Sequence, residues 1–187
     1  MIYFTSDLHL GHRTVLKHRT DFATIDDMNE AFIRDINDTV TGKDTLYILG
    51  DLSYRISPED ANDMIRQMNG RKILIRGNHD PEYDPSLFEE IADYLEFKYD
   101  HRIYIMMHYP LVCWKQMRHG SVQLHGHIHS SPKYNEHNHG LGRLQYDVGV
   151  DANNYRPVSI DEIAAWAASS PWEDYDGINH HAERYED

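Results

Sequence analysis

Five apolar runs in the chain each stop at a side chain able to bind a metal ion. MIYF leads to Asp7, TLYIL to Asp51, KILI to Asn78, RIYIMM to His108 and SVQL to His127. Two of these exits carry another donor two residues on, His9 in SDLH and His129 in HGHIH. The set comprises two carboxylates, one amide and four imidazoles, without sulfur. Mixed nitrogen and oxygen donors of this kind suit Mn, Fe, Zn, Co or Ni rather than Ca or Mg. Seven donors are too many for one such ion that keeps an open position. With one carboxylate bridging, they suit two. Paired ions about 3.5–4 Å apart form a clamp for in-line displacement at phosphorus. Two divalent ions against two carboxylates leave about +2, or about +1 with a bridging hydroxide, enough to hold a phosphate ester.

For these residues to converge, the runs must be strands whose carboxyl ends share one side of a sheet, where ligands collect in α/β folds. Helical patterns alternate with them. DDMNEAFIRDINDTV spaces Met28, Phe32, Ile33, Ile36 and Val40 as one stripe, and SPEDANDMIRQM opens with Ser-Pro and an acidic first turn. PSLFEEIADYLEF predicts another amphipathic helix, so residues 81–107 are expected to hold one helix and one strand. SSPKYNEHNHGLG reads as a polar loop, LQYDVGV as a strand, and SIDEIAAWAAS as a final helix. An acidic polar tail is expected from about 170 to 187. With no internal repeat and no linker, residues 1–187 are expected to form a single domain.

The bulk composition narrows the function classes. A net charge of -13 argues against non-specific nucleic-acid binding, which depends on Lys and Arg neutralising phosphates. Cys113 is alone, so no internal disulfide and no thiolate metal site is available, and it is expected to be a small buried apolar residue. No apolar run approaches the roughly 20 residues of a membrane span, and MIYFTSDLHL lacks the basic start and cleavage site of a secretory leader. A cytoplasmic setting without membrane partners is the expectation.

The ordered blocks DLH, GD, GNHD, H and GHIH, intact between residues 7 and 129, resemble the signature of the calcineurin-like metallophosphoesterases. That resemblance implies an α/β fold of two facing mixed β-sheets flanked by helices, a four-layer αββα sandwich. It implies Asp7, His9 and His129 as ligands of one divalent ion, Asn78, His108 and His127 as ligands of a second, and Asp51 as the bridge. His79 would contact the phosphoryl group or protonate the leaving group, and Asp80 would orient it. A metal-bridging hydroxide would attack phosphorus in line. Mn is the expected ion, with Fe, Zn, Co or Ni as alternatives.

No spacing between blocks leaves room for a cap domain, so the chain resembles the small bacterial and phage members, with an open site. The expected activity is that of a phosphodiesterase on a small ester, with nucleotide-derived esters among the candidates. A phosphomonoesterase, acting on a nucleotide or phosphoprotein, is the alternative within the enzyme class. An inactive scaffold or a metal-storage protein are the readings outside it. His12, one turn beyond DLH, is a candidate substrate contact. His125 lies outside the pattern and is expected to be structural, whereas Gly50, Gly77 and Gly126 are expected to let backbone approach the ions.

Overall fold

Strand β1 (Ile2–Thr5) runs parallel to β2 (Thr45–Ile48), which runs parallel to β3 (Arg71–Ile75), with Thr5 level with Ile48 and Ile48 level with Leu74. Their carboxyl ends therefore open on one side. This computed structural model describes residues 1–174. Most of the acidic tail, with His180 and His181, lies outside the described residues.

Side chains alternate across the parallel strands, as a sheet covered on both faces requires. Leu46, Ile48 and Leu74 pack with helix α1 (Ile25–Thr39) and helix α2 (Pro58–Arg66), through Met28, Phe32, Ile36, Ala61 and Ile65. Phe4, Tyr47, Leu49 and Ile75 turn the other way, toward a second sheet. The α1 stripe forms as expected, started by a capping box in which the Asp27 N–H donates to Thr24 Oγ1 and the Thr24 N–H to Asp27 Oδ2. Strand β4 (Glu90–Ala92) extends the sheet in parallel beyond β3, and β9 (Val158–Ser159) closes the far edge antiparallel to β1.

The second sheet runs in the order β5 (Leu95–Tyr99), β6 (Arg102–Met106), β7 (Val122–His125), β8 (Gln145–Asp147), antiparallel only at the β5–β6 hairpin. The two sheets meet face to face. Phe97 of β5 stacks on Phe4 and Tyr47 of the first sheet, at centroid distances of 6.1 and 5.7 Å. Helix α3 (Pro132–Gly140) packs beside β8, and Trp166 of helix α4 (Ile160–Ser169) meets Tyr146 edge-on at 5.0 Å. The fold is thus the α/β arrangement of two mixed sheets with flanking helices.

Two segments differ from the sequence expectation. Residues 81–107 hold one 3-10 turn and three strands rather than a helix and a strand. Phe88, Ile91 and Leu95 fall three and four apart only because the chain leaves one sheet and enters the other between β4 and β5. Leu95, Phe97 and Tyr99, at period two, are what face the core. The expected polar loop at 130–142 is helix α3. Its inward stripe is made of asparagines. Asn135 Nδ2 donates to the Asp147 carbonyl, Asn135 Oδ1 accepts from the Asp147 N–H, and Asn138 Nδ2 donates to the Gln145 carbonyl, all at 2.8–2.9 Å.

Candidate metal centre

The turns after the strands carry the donors. Beyond β1 and β2 the chain continues as two paired turns, with the Asp7 N–H donating to the Gly50 carbonyl and the His9 N–H to the Asp51 carbonyl. Leu8, between the candidate donors Asp7 and His9, turns into the core. Asp7, His9, Asp51, His127 and His129 all lie in the left-handed region, with φ of 59°, 51°, 52°, 73° and 46°. No glycine occupies these positions, so each costs on the order of 1–3 kcal/mol of backbone strain, as is common at ligand clamps. Glycines stand beside them where space is short. A Cβ on Gly77 would lie 2.2 Å from Asp51 Oδ1, and one on Gly126 2.4 Å from Asp7 Oδ2.

The structure gathers six of the seven expected donors into two adjoining groups and sets the seventh, Asn78, beside the second. Asp7, His9 and His129 form the first, and Asp51, His108 and His127 the second, with the donor atoms of each group within 4.8 Å of one another. In the first, His9 Nε2 and His129 Nε2 stand 3.1 Å apart, and Asp7 Oδ1 is 3.9 Å from His129 Nε2. In the second, His108 Nε2 lies 3.2 Å from both His127 Nδ1 and Asn78 Oδ1 and 3.6 Å from Asp51 Oδ1. An ion bonded at about 2.0–2.2 Å to each donor would hold neighbouring donors roughly 3.0–3.6 Å apart. The residues fit divalent ions.

Their electrostatics agree. Burial pushes the Asp7 carboxyl up to about 7 and the His9 imidazole down to about 2, and it also lowers His127. His9 and His127 therefore present neutral lone pairs, and Asp7 gains most from a cation beside it. His108 Nδ1 lies 2.7 Å from the Leu49 carbonyl and His129 Nδ1 2.8 Å from Asp151 Oδ2, so each donates there and leaves Nε2 free for an ion.

A family model of the calcineurin-like phosphoesterases matches residues 1–170. The chain belongs to that family. This phosphoesterase is 30% identical over 164 residues to an uncharacterized protein of Methanocaldococcus jannaschii, spanning 87% of this chain and 88% of that one. It is 31% identical to the Gene 66 protein of Mycobacterium phage L5, over 95% and 94% of the two chains. Among solved structures, a protein of unknown function from Aquifex aeolicus aligns with a TM-score of 0.68 at 25% identity, covering 88% of this chain and 98% of that one. The phosphoesterase is thus a hydrolase of phosphoric esters with two candidate metal sites, and its action is metal-dependent.

His79 is held near the second group by its N–H, which donates to Asp51 Oδ1, while its ring lies 4.2 Å from the Tyr54 ring and 5.7 Å from the His9 ring. Asp80 does not orient it. Both Asp80 oxygens are committed elsewhere, accepting from the N–H groups of Asp51, Leu52 and Gly77 and from the Tyr83 hydroxyl at 2.7–3.0 Å. Asp80 thus pins the backbone of the turns that carry Asp51 and Asn78. His12 lies beside the first group, 5.4 Å from the His9 ring, in a cleft of about 600 Å³ shared with His79, His129, Ser130 and Tyr155. His125 belongs to neither group. It is buried, with Nδ1 2.9 Å from the Gly126 carbonyl and Nε2 3.3 Å from the Tyr134 hydroxyl. Cys113 is exposed rather than buried, because the turn between Pro110 and Trp114 points it outward.

Two residues of the site are absent from the sequence reading. Asp151, the carboxylate on His129, follows β8 just as the candidate donors follow their strands, and that placement is its available signal. Arg19, which grips Asp151, is a lone arginine in a turn and carries no pattern at all.

Proposed function

We propose that this phosphoesterase is a dinuclear metal-dependent phosphodiesterase, with Mn as the preferred ion for its nitrogen and oxygen donors. The observation that carries the paired centre is the Asp51 carboxylate. Its Oδ2 lies 3.5 Å from His9 Nε2 of one group and its Oδ1 3.6 Å from His108 Nε2 of the other. One side chain serving both groups is what a bridging ligand requires. Asp7, His9 and His129 would hold one ion, and Asn78, His108 and His127 the other. Divalent ions there supply Lewis-acid charge toward a phosphoryl oxygen and lower the pKa of water.

The protein's own groups orient the ester and move the proton. The His79 ring, tethered through its backbone to Asp51, faces the cleft and is assigned the proton for the departing ester oxygen, with His12 as a further contact. The diester preference rests on the cleft. Among the described residues lining it, Arg19 is the sole Lys or Arg, and its guanidinium is committed to Asp151. A monoester brings an extra negative charge that wants a free cation. A diester brings a second organic arm that wants room, and the cleft offers about 600 Å³. A net charge of -13 favours a small ester over a nucleic acid. We read the chain as a single catalytic domain, and the lone unpaired cysteine supports a reducing, cytoplasmic setting.

The test compares a nitrophenyl phosphodiester with the corresponding monoester, with Mn added. The diester should turn over faster, and both chelation and Asp51→Asn should abolish the activity. His79→Ala should keep its metal while the rate falls by about 10²–10⁴. Indifference to chelator and to Asp51→Asn would end the metal-dependent reading, and monoester preference would replace only the substrate class.

A further inference from the structure

Arg19 is 1% exposed, and a buried cation needs a reason. Its guanidinium forks onto one carboxylate, Nε donating to Asp151 Oδ1 and an Nη to Asp151 Oδ2, each at 2.8 Å. The same Nη donates to the Asp7 carbonyl at 2.6 Å, and the other to the Leu8 carbonyl at 3.0 Å. Those two carbonyls belong to the left-handed turn that carries Asp7 and His9. Asp151 Oδ2 also accepts from His129 Nδ1, at 2.8 Å. Every member of the first metal group is therefore tied to one guanidinium, two through their turn and the third through a carboxylate.

The second group touches the first through the His127 N–H on Asp7, but it also has supports of its own. Asp80 holds the N–H groups of Asp51, Leu52 and Gly77, and the Leu49 carbonyl holds His108. Stability alone is a poor reason for the Arg19–Asp151 pair, because desolvating a buried ion pair tends to offset its attraction. A planar fork that fixes two carbonyls and a carboxylate at once does supply geometry, and a strained ligand turn needs geometry.

We propose that Arg19 and Asp151 are positioning residues dedicated to one of the two metal sites, that of Asp7, His9 and His129, and that disturbing them weakens this site while leaving its neighbour intact. The inference rests on the paired-metal reading given above. In the loaded protein the Asp151 carboxylate fixes His129 with Nδ1 protonated and Nε2 toward the ion, and Arg19 keeps that carboxylate and the Asp7–His9 turn in register.

The test is calorimetric titration of metal-free protein with Mn, for the unaltered chain, Asp151→Asn and Arg19→Lys, alongside thermal unfolding of each metal-free form. The unaltered chain should take up two ions. Folded Asp151→Asn should take up one ion with unchanged affinity and the other about 10–100-fold more weakly. Arg19→Lys, which keeps the charge and loses the fork, should show a smaller loss at the same site, and it carries the test should Asp151→Asn fail to fold. Lower unfolding temperatures with both affinities unchanged would make the pair a mere structural anchor and overturn the proposal. Equal weakening of both ions would overturn it too. Fewer than two ions in the unaltered chain would instead sink the paired-metal reading itself.

Discussion

A carboxyl group buried as deeply as that of Asp7 ionises readily only when a cation stands beside it. Burial raises its pKa from 3.8 to about 7, so a proton and a metal ion compete for the same oxygen atoms. His9, held near 2 by its own burial, offers no such competition. His129, raised by its hydrogen bond to Asp151, must release a proton as well, so the affinity of the first group for Mn should climb by at least roughly tenfold per pH unit below about pH 7. The metal-free fold should respond in the opposite sense. A carboxyl whose folded pKa is raised favours the folded state while protonated, so that contribution is lost as pH rises from 3.8 through about 7. Mn titrations at pH 5.5, 6.5 and 7.5 check the first statement, and an affinity flat across them would contradict it. These residue types were legible in the sequence because polar side chains at strand exits are conspicuous. Their left-handed backbone was not, since φ near 50–70° at Asp7, His9 and His127 is imposed by surrounding turns rather than by glycine. Nor was the true use of Asp80, whose partners are backbone N–H groups that leave no trace in the residue pattern.

Elements differed in legibility according to what they bury. Helix α1 buries Met28, Phe32 and Ile36 and was readable from their spacing. Helix α3 buries Asn135 and Asn138, so a search for apolar periodicity passes over it. Those asparagines do structural work for the site. Asn135 clamps both backbone groups of Asp147, at the end of the strand from which the chain continues to Asp151. Asn135→Ala should leave the Asp147 N–H without its partner and lower stability by about 1–3 kcal/mol. Thermal unfolding of the metal-free variant measures this. A midpoint equal to that of the unaltered chain would show that α3 merely covers β8. The segment at 88–99 misled for a different reason. Its three-to-four spacing spans a switch between sheets, and only Phe97 stacked on Phe4 and Tyr47 shows which face was meant for the core.

At the scale of the whole molecule, two sheets are needed to make one site. The first delivers Asp7, His9, Asp51 and Asn78 from the ends of parallel β1, β2 and β3, and the second delivers His108, His127 and His129 from β6 and β7. The seam is direct. The His127 N–H donates to both Asp7 oxygens at 3.0 Å, and the Val150 N–H to the Ser6 carbonyl at 3.1 Å. Each metal group draws donors from both sheets, so sheet-to-sheet packing through Phe4, Leu49, Tyr104 and Leu124 sets the spacing of the donors within each group, and the core and the chemistry share one geometry. The convergence could be expected from the order of the motif blocks. Its support by Arg19 and Asp151 could not, because those contacts join residues 132 positions apart with no repeating pattern. Anomalous diffraction from crystals of the Mn-loaded protein tests the central claim most directly. Two peaks about 3.5–4 Å apart, one on each side of the Asp51 carboxylate, are the predicted result. A single peak, or ions bound away from Asp51, would contradict it.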